Sequence, residues 1–308
     1  MGAINLKHNG SGSDITLSSD GTDLLLDGTA IGGGGGGPTL FAENPSSSSS
    51  PTATGTDAVA IGDSRGIASG NYSLSLGNSL ASGGSSFSVQ IGNNSSTLGA
   101  TNSYAIAMGN GAKASGPSAV GIGTGALAEN AAAVAIGKQV SAARAYGVAL
   151  GYRSKSNVDG KLVFAGGFFS AVGDAQTGVL VLRSDTTDAT PEALTTSNSG
   201  GYVGNFNHTV LPDNSAFAFH GTIVARQQAS GGTASAAWKV EGLIRREGSA
   251  GTTVLVNSAT TVLDNTPSWG LALSANTTDG GLAITVTGAA STNIRWVATI
   301  HTSEVTYA

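Results

Sequence analysis

The sequence predicts an all-β protein, with a parallel β-roll (a β-solenoid) first and an antiparallel β-sandwich or jelly roll after it. Three observations carry that expectation. A five-residue phrase recurs seven times between Ala58 and Gly151; apolar and small residues alternate within it; and beyond about residue 202 longer alternating runs are separated by Gly-, Ser- and Asn-rich turns. A fixed repeat is read first because it dictates the architecture. Alternation with period two is the signature of strands.

The phrases are Ala58–Gly62, Ser73–Gly77, Ser88–Gly92, Ala105–Gly109, Ala119–Gly123, Ala133–Gly137 and Gly147–Gly151, and their closing glycines are spaced 15, 15, 17, 14, 14 and 14 residues apart. A frayed eighth copy ends at Gly166. Each is preceded by a second run of small residues, such as Lys113-Ala114-Ser115-Gly116. Two short strands and two turns in about fourteen residues make one coil of a narrow roll. Its coils would stack at the inter-strand spacing of about 4.8 Å. Gly62, Gly77, Gly92, Gly109, Gly123, Gly137 and Gly151 are then corner residues, where φ is positive or another backbone passes close. Two large apolar side chains per coil, Val120 and Ile122 for example, are few to offset the entropy of ordering it. A second buried surface is therefore expected, most simply other copies of the same chain.

The phrase and its lead-in resemble the head repeat of trimeric autotransporter adhesins of the YadA type, over about a third of the chain. The resemblance implies a left-handed roll and a homotrimer with the apolar phrase facing its centre. By position it assigns that inner face to Val59, Ile61, Val89, Ile91, Val120, Ile122, Val134, Ile136, Val148 and Leu150. The family's signal peptide, coiled-coil stalk and membrane barrel find no counterpart in this sequence.

Five segments are expected. Residues 1–31 read as three short strands, Ile4–His8, Asp14–Leu17 and Asp23–Asp27, with Asn-Gly and Asp-Gly turns. They resemble the N-terminal segments by which phage fibre proteins dock on the virion. Residues 32–54, with Gly32–Gly37 and Ser46–Ser50, read as a flexible tether. The roll occupies 55–167, a transition 168–201 with one strand at Val179–Leu182, and a sandwich 202–308. In the sandwich Phe217, Phe219, Ile223 and Ala225 share one face, as do Trp238, Val240 and Ile244, and Ile294, Trp296, Ala298 and Ile300. By overall pattern this stretch resembles C-terminal β-domains of marine phage virion proteins.

Composition narrows the function. The 308 residues carry a net charge of −5 with no basic block, so nucleic acid is not an expected partner. There is no cysteine, hence no disulfide or thiolate metal site, and no apolar run approaches 18 residues, so membrane insertion is not expected. The glycine run before Pro38 lacks the Gly-Lys-Ser/Thr of a phosphate loop. Gly121-Ile122-Gly123-Thr124-Gly125-Ala126 fits a dinucleotide fingerprint, but the repeat already explains its glycines and a strand follows where a helix should open. No cofactor is expected. His8, His208, His220 and His301 sit in no metal or nucleophile motif; His220 and His301 read as solvent-facing strand residues. Asp185 and Asp188 form the one close carboxylate pair of the transition segment and read as a polar turn. Arg245 and Arg246 fall on opposite faces by strand parity. Loops near 228–236, 246–252, 257–268 and 274–281 are the candidates for binding, because loops at sandwich ends usually carry it.

These readings together describe a structural, non-enzymatic phage appendage: a homotrimeric tail fibre docked through its N-terminus to a virion tail or head protein. Its tip would meet a host cell-surface glycan or protein. The alternatives are a head-decorating fibre, a tailspike that cleaves polysaccharide, and a fragment of a cellular adhesin. The tailspike predicts clustered Asp and Glu in a groove, whereas only 19 acidic residues are scattered along the chain.

Overall fold

The computed structural model of the chain describes residues 51–62, 65–90 and 97–307, and gives strand pairing alone for the short strands before residue 31. Residues 1–46 and 47–308 form separate units. In the first, Ile4–Leu6, Ile15–Ser19, Leu24–Leu26 and Thr29–Ala30 pair antiparallel in that order, one strand more than expected. The turns between them, the expected tether up to residue 50, and Ile91 and Gly92 lie outside the described residues.

The second unit is all-β, and its described residues hold no helix beyond one 3-10 turn at Ala250–Thr252. It begins as a parallel β-solenoid of eight coils. One sheet of the solenoid runs from Val59–Ile61 to Leu162–Ala165, and the other, 8-stranded, from Thr52–Ala53 to Lys155–Ser156. The first roll strand, Thr52–Ala53, thus falls inside the stretch expected as tether.

Side chains sort by size across the first sheet. Val59, Leu74, Phe87, Ile106, Val120, Val134, Val148 and Leu162 stand in one outward column. Ile61, Leu76, Val89, Met108, Ile122, Ile136, Leu150 and Phe164 stand in a second. Between them Ser75, Ser88, Ala107, Gly121, Ala135, Ala149 and Val163 point inward and are buried. The interior is nearly all alanine: of its buried apolar cluster only Val140 and Val163 are larger.

Two expected registers are corrected. In the eighth copy Ala165, not Gly166, stands opposite Gly151. Phe87 and Val89, not Val89 and Ile91, occupy the columns of the third coil, so Gln90 and not Gly92 stands opposite Gly77. A two-residue slip keeps every side chain on its face, so period-two alternation is blind to it.

Roll and sandwich share one 13-stranded sheet. Leu162–Ala165 pairs antiparallel with Ala175–Thr186, a 12-residue strand within the segment expected as transition. Onto it are added Ile294–Thr306, Ser215–Gln227, Ser235–Arg246 and, at the edge, Val254–Asp264. Residues 257–264, expected as loop, are strand; their Ser and Thr residues read as turn formers but pair along the neighbouring strand. Behind the large sheet lies a smaller one, in which Gly281–Thr287 pairs with Pro191–Ala193, Thr209–Val210 and Gly270–Asn276. The two enclose a core in which Trp238 and Trp269 pack on Trp296, each with ring centroids 5.7 Å apart. The Trp296 indole N–H donates to Thr186 Oγ1 at 3.0 Å.

A buried ion pair joins the two architectures. Lys161, in the last coil, meets Glu304, in the last strand, at 2.5 Å, and both side chains are almost wholly buried. Glu304 also accepts from Gln176 at 2.8 Å and Thr302 at 2.5 Å, so its charge is fully coordinated.

Two outcomes are expected. Gly109 has φ +116°, and a Cβ there would lie 2.8 Å from the Gly123 carbonyl oxygen of the next coil. Gly109→Ala should therefore lower the thermal midpoint followed by circular dichroism, whereas Gly167→Ala, with open space around it, should not. An unchanged Gly109→Ala midpoint would refute the close-contact account. Lys161→Met strands the Glu304 charge and should cost about 3–5 kcal/mol in urea unfolding, with much of it recovered by adding Glu304→Leu.

Candidate functional site

The sequence-assigned residues Val59, Ile61, Val89, Val120, Ile122, Val134, Ile136, Val148 and Leu150 all lie in the outward columns. They are half-buried or exposed in a single chain, Val59 at 47% and Ile136 at 40%. The six described corner glycines have φ between +71° and +138°. Asp185 and Asp188 are occupied separately: Asp185 accepts from Asn198 Nδ2 at 2.9 Å, and Asp188 accepts from the Thr190 amide at 2.7 Å. The Thr190 bonds hold the Asp188 carboxyl below its usual range. His220 and His301 face each other across paired strands, their rings parallel and 5.1 Å apart. Stacked rings aim their nitrogens along parallel planes, so the pair does not converge on one ion.

The candidate site is a groove at the far ends of the large sheet's strands. Asp185, Arg295 and Arg226 are aligned across three paired strands, and all three are exposed. With Gln227, Gln228 and Asn293 they line a cleft of about 560 Å³. Asn293 Nδ2 donates to Gln228 Oε1 at 2.8 Å, and Arg226 donates to the Thr233 carbonyl, which fixes one rim. A second cleft of about 260 Å³ shares Asp185 and Arg295 and adds Arg183 and Asn198. A third, about 530 Å³, shares Arg183 and reaches Tyr146 and Asp159. The three adjoin through shared walls to make one groove.

The groove is electropositive around Asp185. Among the described residues Arg183 and Arg295 make no side-chain hydrogen bond or ion pair within the chain. At the other end, burial pushes the Asp159 carboxyl above its usual range, against the opposing pull of Arg144 and a hydrogen bond from the Ala145 amide. Tyr146 is 67% exposed although its backbone is left-handed, φ +58°.

One groove wall, Thr196–Asn198, hangs on a buried polar cluster. The Thr196 amide donates to the Asn207 carbonyl at 2.8 Å, and Asn207 Nδ2 donates to Ser199 Oγ at 3.1 Å. His208 is wholly buried behind it; Nδ1 lies 3.3 Å from Asn207 Oδ1 and Nε2 3.3 Å from Asn276 Nδ2. Since the Asn276 amide donates, Nε2 accepts and the proton sits on Nδ1. Burial drives the His208 pKa down to about 4, with Asp279 opposing it. Tyr202 packs on the same ring, and burial raises its hydroxyl to about 12.

Sequence reasoning did not find Arg183, Arg226, Arg295, Tyr146 or Asp159. The candidate loop 228–236 does border the groove. The available signal was local, Arg183 and Asp185 at i, i+2 on one strand face; their partners lie some 40 and 110 residues away.

No protein-family model matches the chain, and no curated protein matches it. Two solved structures are similar in part. One is tailspike protein gp49 of Acinetobacter baumannii bacteriophage Fri1, a capsular polysaccharide depolymerase: 13% identity, TM-score 0.26, over 77% of this chain and 38% of that one. The other is the tailspike protein of Acinetobacter phage vB_ApiP_P1: 13% identity, TM-score 0.23, over 81% and 48%. The chain thus spans less than half the length of either. The first match is an enzyme, so the expectation of a non-enzymatic protein is corrected and does not stand. Likeness at this level assigns no activity to this chain.

The cluster behind the wall predicts a pH response. An unfolded chain protonates His208 near 6.5 and the folded one near 4, so the stability is full above pH 6.5 and lost as pH falls towards 4. Between pH 7.5 and 5 the loss should be about 2 kcal/mol in urea unfolding, and His208→Gln should flatten it. An equally steep slope in the variant would exclude His208 as its source.

Proposed function

We propose that this protein is a phage virion appendage, a homotrimer whose roll forms the shaft and whose sandwich holds a host-surface glycan. One observation carries the assembly: two unbroken columns of large apolar side chains cover eight coils on the outside of a roll whose inside is filled almost entirely by small residues. A contiguous exposed apolar face of that length is an interaction surface. Its straight, repeating geometry suits an identical column better than an irregular partner, and the head-repeat resemblance makes the number of copies three. Placement on a virion is supported by the likeness of residues 1–31 to docking segments of phage fibres, with a tail or head protein as partner.

A second reading, cleavage of the glycan, is favoured by Asp159 in the third cleft, whose raised pKa suits proton donation. Release of reducing ends from capsular polysaccharide, lost in Asp159→Asn, is the outcome that reading expects.

Light scattering on the full chain should give three times the chain mass. Ile136→Asp, at a site the single chain leaves 40% exposed, should give monomers that keep the β circular dichroism spectrum. A monomeric wild type would remove the assembly and with it the shaft.

A further inference from the structure

The groove has a chemistry more specific than glycan binding in general. Its central section presents Arg226 and Arg295 side by side, with Arg183 one alternate residue along from Asp185 on the adjoining strand. Three guanidinium groups around one carboxylate leave a net positive surface on a chain whose overall charge is −5. Among the described residues Arg183 and Arg295 have no side-chain acceptor, which leaves their planar donor sets available to a ligand. A guanidinium pairs best with a planar anion that accepts two parallel hydrogen bonds, which a carboxylate does. The rest of the lining suits a polyol. Gln227, Gln228 and Asn293 offer amides that both donate and accept, and Asp185 accepts from a hydroxyl.

At the other end stands an exposed aromatic in a backbone conformation that non-glycine residues rarely adopt. The same turn position of earlier coils holds Tyr72 and Tyr104, likewise left-handed and exposed. Tyr146 lines the third cleft and is largely exposed, so its ring is available for the apolar face of a sugar ring to stack on. The cleft around Arg295 is, at about 560 Å³, within the range of small-ligand sites, about 300–1,000 Å³. The groove extends beyond it through two more clefts, which suits a linear chain of residues over a single one.

Position separates the arginines from the columns. The outward columns of the roll continue onto Val179 and Thr177 of the strand Ala175–Thr186, whereas Arg183 lies four residues on and Asp185, aligned with Arg295 and Arg226, six. At about 3.4 Å per residue that is about 14 and 20 Å along the strand. Tyr146, two residues before the column residue Val148, is the part of the groove that borders the columns.

We propose that this groove binds an acidic oligosaccharide through its carboxylate groups, held by Arg226, Arg295 and Arg183, with a neighbouring ring stacked on Tyr146. The proposal rests on the glycan-binding reading above, but not on the trimer, because one chain supplies every residue. The full-length protein would be titrated calorimetrically with a panel of oligosaccharides. It would include uronate, nonulosonate and pyruvyl-ketal types, the carboxyl-reduced form of each, and sulfated and neutral chains. At least one carboxylated type should bind, with its reduced form at least tenfold weaker. Arg295→Gln and Arg226→Gln should each weaken the acid form about tenfold and leave the reduced form unchanged. Tyr146→Ala should weaken both forms alike, and Arg245→Gln, remote from the groove and paired with Glu247, neither. Equal binding of acid and reduced forms would overturn the carboxylate assignment while leaving glycan binding intact. Preference for sulfated over carboxylated chains would overturn it too. Binding of no member would overturn both.

Discussion

The constraint on which the second unit depends is the thinness of the roll. Where the chain turns inward at Gly121, even a methyl group would lie 2.6 Å from the Lys113 carbonyl oxygen of the facing strand. Elsewhere the inward position takes alanine or serine and little else until Val163 in the last coil. A coil of this width leaves little room inside for valine or isoleucine, and Val140, between two strands, is the exception before the last coil. The large residues must therefore stand outside, and since the ladder repeats them in register they form columns instead of scattered patches. Coil shape and corner glycines follow from that one spacing, and the proposed partner surface rests on it. A thicker solenoid could bury its large apolar residues within a single chain.

The change from roll to sandwich follows the same logic from the other side. The last coil is the first whose strand in the large sheet carries a valine at the inward position, Val163, and that strand is also the first of the roll with an antiparallel neighbour. From there a second sheet stands back far enough for tryptophan, and the core becomes that of an ordinary sandwich. Lys161 and Glu304 sit where neither architecture supplies enough apolar bulk to close the seam. A buried pair of this kind is weak evidence for net stability, since apolar residues of similar volume often do as well. What it does add is a directional link between the last coil and the last strand of the chain.

Most of the architecture was legible because the repeat is a local signal. The phrase from Ala133 to Gly137 carries its own face assignment, its corner and its spacing. The register of the third coil was not legible, because Phe87, Val89 and Ile91 are equally good fillers of an outward column and parity cannot choose between them. The strand Val254–Asp264 was half hidden for a different reason: it is an edge strand with exposed side chains, so burial left no alternation to read. The groove was least legible of all. Arg183, Arg226 and Arg295 are unremarkable singly, and only the pairing of Ile294–Thr306 with Ala175–Thr186 on one side and Ser215–Gln227 on the other brings them together. A long-range antiparallel ladder of that kind has no local signature.

The placement of that groove bears on how weak contacts could hold a cell. Charged contacts to an exposed polyanion are screened within about 8 Å at physiological ionic strength, so one groove with three arginines gives modest affinity. The columns and the arginine row lie on one face of one sheet, the row farther along the strands. Packing on the columns would then bring several identical grooves to the same height. A polysaccharide surface repeats its own unit, so such an array can engage several units at once. Linked binding of that sort raises avidity by roughly 10²–10⁴ over one site when the geometry permits it. On this account the alanine interior would matter for adhesion as well as folding, because by forcing the large apolar residues outward it would bring the proposed grooves together.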